Sequence, residues 1–411
     1  MPITNLPTLK SINPATLECI KEYPQHSGQE IEERLLKLCI AQKEWQAINF
    51  SQRKVCMLKL ASDLEQIEQD AAETMANEMG KPWGQGAREI SKCAWLCRWF
   101  ANSAETYLTM DSISTEYQRS YVQFEPLGCI LAIMPWNFPF WQVFRCAVPA
   151  IMAGNGVLLK HAPSTQGCAQ IIEQLFVNAG FPDGLLVHIK VENSRVESLI
   201  AHSSVNMITF TGSTGAGRIV AKQAAEYLKP SVLELGGSDP YLIFDDAKLK
   251  NAVEKCAQSR WLNTGQSCIS AKRIIVIDEI YNEFMEQFLA FARQYEFINP
   301  LSRPFDGYFV GPMARLDLRD QLAKQVSDSI DLGACCELGG QIPDAKGAYY
   351  PVTVLSNVSP GMPAFDQELF GPVAAIIRAK DDRHMIALAN KTTYGLGAVS
   401  YTHLRAHETP C

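Results

Sequence analysis

Four short segments of this 411-residue chain carry side chains able to do chemistry. Pro135-Trp136-Asn137-Phe138-Pro139 sets an amide between two prolines that fix the backbone around it. An Asn held this way can donate to a developing oxyanion, or it can be a simple turn amide. Phe210-Thr211-Gly212-Ser213-Thr214-Gly215-Ala216-Gly217 brings glycines and hydroxyls to a strand–helix junction. There the backbone can approach a phosphate and a helix start offers free N–H donors. The spacing is not the G-x-G-x-x-G fingerprint, so an ordinary turn fits equally well. Glu234-Leu235-Gly236-Gly237 sets an acid before two glycines, and Gly265-Gln266-Ser267-Cys268 sets a cysteine after a flexible turn. A free thiol with a pKa of about 8.5 is mostly protonated at neutral pH. A reactive Cys268 therefore needs a helix end, a cation or a base beside it. Otherwise it is one ordinary thiol among thirteen.

The elements that must position these residues follow from periodicity. The first hundred residues read as helices, one capped by Ser51 and running to Met79, with Val55, Leu58, Leu60, Leu64 and Ile67 on its buried face. Gly84–Tyr107 reads as another, with Trp95, Trp99 and Phe100 as its apolar bulk. Alternation between Leu108 and Glu125 suggests an extended hairpin. Beyond it, strands at Cys129–Met134, Gly156–Lys160, Leu185–Ile189 and Asn206–Phe210 alternate with helices at Gly167–Ala179 and Gly217–Leu228. A second set follows, with strands at Tyr241–Phe244 and Arg273–Ile277 and a helix at Ile280–Tyr295. Such alternation implies mostly parallel sheets covered by helices, an α/β protein. Open α/β sheets bind ligands where the first two motifs lie, beyond the carboxyl ends of strands.

Composition narrows the classes further. A net charge of −7, with both signs mixed along the chain, gives no reason to bind nucleic acid or an anionic membrane. No apolar run approaches the roughly 20 residues of a membrane span, and no secretory signal opens the chain. A cytoplasmic protein is expected. No Cys-x-x-Cys or zinc spacing occurs, and Cys93 and Cys97, one helical turn apart, read as core. Most thiols are expected to be reduced and buried, with no metal.

Taken in order, Asn137, Ser213, Glu234 and Cys268, with Glu368-Leu369-Phe370-Gly371-Pro372, resemble the motifs of the aldehyde dehydrogenase superfamily from about Ile12 to Val399. The resemblance implies a Rossmann-like cofactor domain, an α/β catalytic domain and a bridging, oligomerising hairpin. It implies that Cys268 is the nucleophile, that Asn137 holds the oxyanion, and that Glu234 is the base that activates water. The residues matching the cofactor site are Trp136, Lys160, Ser164, Gly212, Ser213, Gly217, Leu235, Glu368 and Phe370. Members that prefer NAD often carry an acid three residues after the lysine; here Lys160 is followed by His161-Ala162-Pro163-Ser164, so NADP should be accepted as well as NAD. Lys160-His161-Ala162-Pro163 and Ser238-Asp239-Pro240 look like short-type bacterial succinate-semialdehyde dehydrogenases. In that subgroup Arg145 matches a position that grips the substrate's distal carboxylate, a task suited to a bidentate guanidinium. A second such Arg would fall at Leu262, which carries no charge.

The expected domains are residues 1–107 with 127–233 for the dinucleotide, 108–126 for the hairpin and 234–399 for catalysis. Residues 400–411 differ from the family pattern and read as a foreign tail on a shortened catalytic domain. His403, His407 and Cys411 in that tail have no supporting ligands for a metal. The expectation is a homo-oligomeric, NAD(P)-dependent oxidation of a small aldehyde, with stability, assembly and turnover weakened by the altered end. Two other readings stay open: transfer of the thioester to coenzyme A, and a non-catalytic dinucleotide-binding protein.

Overall fold

The computed structural model describes residues 8–304 and 307–402. His403, His407 and Cys411 lie outside the described residues. Two compact units divide the chain, one of residues 1–12, 19–78 and 86–234, the other of residues 13–18, 79–85 and 235–411.

The first unit opens with an antiparallel pair, β1 (Leu9–Ile12) and β2 (Cys19–Tyr23), within a stretch expected to be helical. Helix α1 (Gly28–Gln46) is started by a Ser27 capping box in which Glu30 answers the cap's backbone N–H. Helix α2 (Phe50–Gln66) is capped by Asn49 with Gln52, not by Ser51, and it stops at Ile67 before α3 (Glu68–Met79) begins. The Asn49 side chain accepts from the Gln52 N–H, capping the helix two positions earlier than Ser51 would. The buried face of α2 is Met57, Leu60, Ala61 and Leu64, whereas Val55 and Leu58 are exposed. Helix α4 (Trp83–Leu108) buries Cys93 and Cys97, and turns Trp95 and Trp99 outward. A short antiparallel ribbon follows, β3 (Asp111–Ser112) with β4 (Tyr121–Val122).

The sheet of this unit is parallel throughout. Strands β5 (Cys129–Met134), β6 (Gly156–His161), β7 (Leu186–His188), β8 (Val205–Thr211) and β9 (Ser231–Glu234) lie in the order β7-β6-β5-β8-β9. Helices α5 (Trp141–Met152), α6 (Gln166–Asn178), α7 (Val196–Ala201) and α8 (Thr214–Glu226) connect them. Trp45, Phe144, Ile172 and Phe176 sit at the centre of the core, with the Trp45 indole N–H donating to the Ile151 carbonyl at 2.7 Å.

The second unit holds a six-stranded sheet of β10 (Pro240–Ile243), β11 (Arg273–Ile277), β14 (Cys335–Leu338), β15 (Thr353–Ser356), β16 (Val373–Ala379) and β17 (Val399–Tyr401), with β12 (Tyr295–Phe297) and β13 (Tyr308–Val310) as a separate pair. The order is β14-β15-β16-β11-β10-β17, with only the β14–β15 pairing antiparallel. Helices α9 (Leu249–Trp261), α10 (Tyr281–Ala292), α11 (Leu316–Asp331), α12 (Pro363–Asp366) and α13 (Asp382–Asn390) complete the unit, with one core on each face of the sheet. Ser400 and Tyr401, read from the sequence as part of a foreign tail, pair with Leu242 and Ile243 on β10. Residues 13–18 join this unit: the Ala348 N–H donates to the Pro14 carbonyl at 2.7 Å.

All twelve described cysteines are free thiols, but only five are buried, fewer than composition suggests. Among the described residues no helix is long and apolar enough to cross a membrane, and no cluster of acid, His or Cys side chains could hold a metal.

Candidate active site

In the first unit, the chemistry-bearing turn follows β5 directly. Asn137 is buried and Trp136 half-buried. Two neighbours hold the turn. Glu89 on α4 accepts from the backbone N–H groups of Phe140 and Trp141, both at 2.9 Å, so a carboxylate caps the start of α5. His161, at the end of β6, donates from Nε2 to the Pro139 carbonyl at 2.9 Å. Its Nδ1 accepts from the Ala162 N–H at 2.8 Å and the Thr165 hydroxyl at 2.7 Å. Burial pushes its pKa down to about 4, so the ring is neutral. Neither residue was given a role from the sequence; a His one place after a strand lysine is an ordinary feature until its partners are visible.

Lys160 lies beside His161 on the same strand, 3% exposed, with Nζ donating to Asn193 Oδ1 at 2.5 Å. Burial lowers its pKa to about 8. Ser164 is half-buried, and its carbonyl accepts from the buried Ser11 hydroxyl at 2.9 Å. Ser213 caps α8, its hydroxyl accepting from the Ala216 N–H at 3.3 Å, and no acid occupies the first turn. A side chain added at Gly215 would meet nothing within 4 Å, so the helix start is open to a ligand. The helix-start N–H groups beyond the one Ser213 caps, the open space at Gly215 and a buried lysine suit the phosphates and ribose of a dinucleotide. Gly212 and Gly217 flank this turn, and the Gly212 N–H donates to the Glu234 carbonyl at 3.0 Å.

Glu234 ends β9 in register with Thr211 on β8. Its carboxylate lies 3.4 Å from the Arg145 guanidinium, each side chain about one-third exposed (36% and 35%). Both line a cavity of about 250 Å³ with Ile130, Cys146, Ala150, Met207, Thr209, Thr211 and Val232. The base and the carboxylate clamp named from the sequence are thus ion-paired to one another, which spacing alone does not reveal.

In the second unit, Cys268 is half-buried, and the turn before it is rigid rather than flexible. Asn263, Thr264 and Gly265 take three successive left-handed conformations, with φ of 54°, 55° and 71°. For the two non-glycine residues this costs about 1–2 kcal/mol each. Buried bonds sustain it: Asn263 N–H to Gln85 at 2.7 Å, Gly311 N–H to the Thr264 hydroxyl at 3.0 Å, and Ala314 N–H to Gln266 at 2.9 Å. A side chain at Gly265 would overlap the Gly371 carbonyl at 2.2 Å, and one at Gly237 would reach the Cys268 carbonyl at 2.7 Å. The lack of a side chain at Gly237 lets the Cys268 backbone pass against it.

Glu368 accepts from the Gly237 N–H at 3.2 Å and lies 3.4 Å from Lys272. Burial raises its pKa, with Lys272 opposing. Leu235 and Phe370 are half-buried, and Leu262 is exposed at the end of α9. Arg260 and Lys272 are among the buried cations that the sequence reading did not single out. Arg260, fully buried, donates to the carbonyls of Leu369, Gly371 and Val373 and so holds the Glu368–Pro372 segment. Lys272 donates to the carbonyls of Ser267 at 2.8 Å and Cys268 at 2.6 Å. A lysine four residues after the cysteine was the available signal.

Comparison with known proteins bears on the chain as a whole. The chain matches the profile of the aldehyde dehydrogenase family over residues 3–408, beyond Val399 where the resemblance was expected to end. It is 42% identical over 402 residues to a succinate semialdehyde dehydrogenase [NAD(P)+] of Escherichia coli, covering 98% of this chain and 86% of that protein. It is 38% identical over 397 residues to a succinate-semialdehyde dehydrogenase [NADP(+)] of Mycobacterium tuberculosis, covering 96% and 86%. Among solved structures it resembles the succinic semialdehyde dehydrogenase of Streptococcus pyogenes in complex with NADP+, with a TM-score of 0.93, 29% identity and coverage of 97% and 87%.

Proposed function

The chain belongs to the aldehyde dehydrogenase family, and on that premise we propose that it oxidises a small aldehyde bearing a distal carboxylate, foremost succinate semialdehyde, to the acid. NAD or NADP, when bound, accepts the hydride.

The remaining steps fall to side chains. The Cys268 thiolate forms a carbon–sulfur bond to the aldehyde carbonyl, and the new oxyanion accepts from the Asn137 amide and the Cys268 backbone N–H. Once oxidised, the adduct is a thioester. Glu234 takes a proton from water, the water oxygen adds to the thioester carbon, and the carbon–sulfur bond breaks to return the thiolate and release the acid. Lys160, Ser164, Gly212, Ser213 and Gly217 hold the phosphate and ribose end of the dinucleotide. Glu368, Phe370, Leu235 and Trp136 hold the nicotinamide end. The absence of an acid after Lys160 admits the 2′-phosphate of NADP.

One observation carries the choice of substrate: Arg145 is the cation of a small, mostly apolar cavity, paired only across 3.4 Å to a partly exposed acid. A substrate carboxylate can replace Glu234 there with a charge-assisted hydrogen bond. The test is an aldehyde panel with both cofactors on this chain and on Arg145→Ala. The expected result is a KM for succinate semialdehyde raised about 10- to 100-fold, the loss of one charged hydrogen bond, with butanal changed little. An unchanged KM for succinate semialdehyde would sink the clamp.

We further propose a cytoplasmic homo-oligomer joined through the β3–β4 ribbon. Ile113, Tyr117, Tyr121, Val122 and Phe124 are exposed there, an apolar surface suited to burial by another copy. Light scattering that gives a monomer at micromolar concentration would refute this.

A further inference from the structure

Lys272 has no part in the chemistry assigned above, yet it is 1% exposed and sits where two functional segments meet. Burying an ammonium is expensive unless it is fully satisfied. Here three oxygens satisfy it: the Ser267 carbonyl at 2.8 Å, the Cys268 carbonyl at 2.6 Å and a Glu368 carboxylate oxygen at 3.4 Å. We propose that Lys272 is a positioning residue, fixing the peptide of the nucleophile and tying it to Glu368, the acid that takes the cofactor's ribose. This inference rests on the reading of Cys268 as nucleophile and Glu368 as ribose acid.

The geometry gives the lysine two effects. Holding the Cys268 carbonyl fixes the plane of the peptide behind the thiol, so the direction of the cysteine side chain is set from its own backbone. The ammonium also brings a positive charge to that peptide, which favours thiolate over thiol. Glu368 opposes this with a negative charge on the other side of the lysine. The other charged groups that face Lys272 are Arg260 and Asp239. Arg260 is committed to the carbonyls of the Glu368–Pro372 segment, and Asp239 accepts from the Gly397 N–H at 3.0 Å. Neither donates to or accepts from the Cys268 peptide through the bonds described. Burial lowers the lysine's own pKa to about 8, so its charge is removable within the range in which a thiol titrates.

The experiment needs no cofactor. Iodoacetamide alkylation of Cys268 is followed against pH, with the Cys268 peptide quantified by mass spectrometry because twelve other thiols are present. Lys272→Met should move the alkylation midpoint up by about one pH unit, near a tenfold slower reaction below the midpoint. Glu368→Gln should move it down, since an opposing charge is gone. The double variant should depart from the sum of the two, as residues in direct contact do. Lys272→Arg should recover part of the loss.

A merely structural lysine predicts otherwise: both single variants would move the midpoint together or leave it fixed while lowering the melting temperature. Either result overturns the proposal. Should Lys272→Met not fold, Glu368→Gln still decides, because a midpoint that stays or rises is equally fatal. Failure of the underlying reading has a different signature, in which aldehyde yields no NAD(P)H and Cys268→Ser changes nothing, whatever the alkylation midpoints do.

Discussion

Cys268 and Asn137 carry the most direct expectations at the scale of single residues. Cys268→Ser should abolish aldehyde oxidation while NADP+ binding, followed by fluorescence titration, is retained. Asn137→Ala should lower kcat by about 10²–10³, the usual loss of one oxyanion donor, with little change in cofactor affinity. Lys160 gives a pH dependence. Its pKa of about 8 means that it is charged below that value and neutral above it. Dinucleotide affinity should therefore hold through neutral pH and fall as pH rises through about 8, and Lys160→Met should remove this dependence. A Kd for NADP+ that is flat from pH 7 to 9 in the unaltered chain would exclude Lys160 as a charged contact. The residues proposed to do chemistry were legible in the sequence because Asn137, Glu234 and Cys268 sit in distinctive glycine- and proline-marked segments. Their supports were not. His161, Glu89, Arg260 and Lys272 act through backbone carbonyls and N–H groups, and neither donor nor acceptor leaves a mark on residue order.

At the scale of elements, strands were read more accurately than helix boundaries. Fully buried β5 and β11 are continuous apolar runs, a pattern that composition alone exposes. The start of α2 was misread by two positions because Asn49 and Ser51 are both good caps, and only the reciprocal Gln52 contact separates them. Periodicity placed Leu60 and Leu64 correctly on the buried face of α2, but Val55 and Leu58 are exposed and Met57 and Ala61 turn inward. The segment before Cys268 was read as flexible from its glycine. Three left-handed residues locked by Gln85, Gly311 and Ala314 make it the opposite. Gly265→Ala should accordingly destabilise the protein by about 2–4 kcal/mol, from strained backbone and overlap with the Gly371 carbonyl. Urea unfolding would show this as a lower midpoint with unchanged slope, whereas a loss under 1 kcal/mol would mean that the turn relaxes freely. Glu89→Gln tests the Asn137 turn in the same way: it keeps an acceptor but loses the charge at the start of α5, and kcat should fall more than stability does.

For the molecule as a whole, the sequence indicated an α/β chain with a change near residue 234, while the excursions of residues 13–18 and 79–85 into the second unit left no compositional trace. Short loops look alike wherever they pack. Those excursions mean that the chain passes between the units five times, at residues 12/13, 18/19, 78/79, 85/86 and 234/235. Pro14, made almost at once, accepts its hydrogen bond from Ala348, which is added 334 residues later. At about 5–20 residues per second, the ribosome leaves that carbonyl waiting roughly 20–70 s. All residues of the first unit are therefore made before the later-made partner of Pro14. A nascent chain stalled after β9 should carry residues 13–18 and 79–85 exposed to protease, and residues 13–18 should become protected only once residues near 348 have left the exit tunnel.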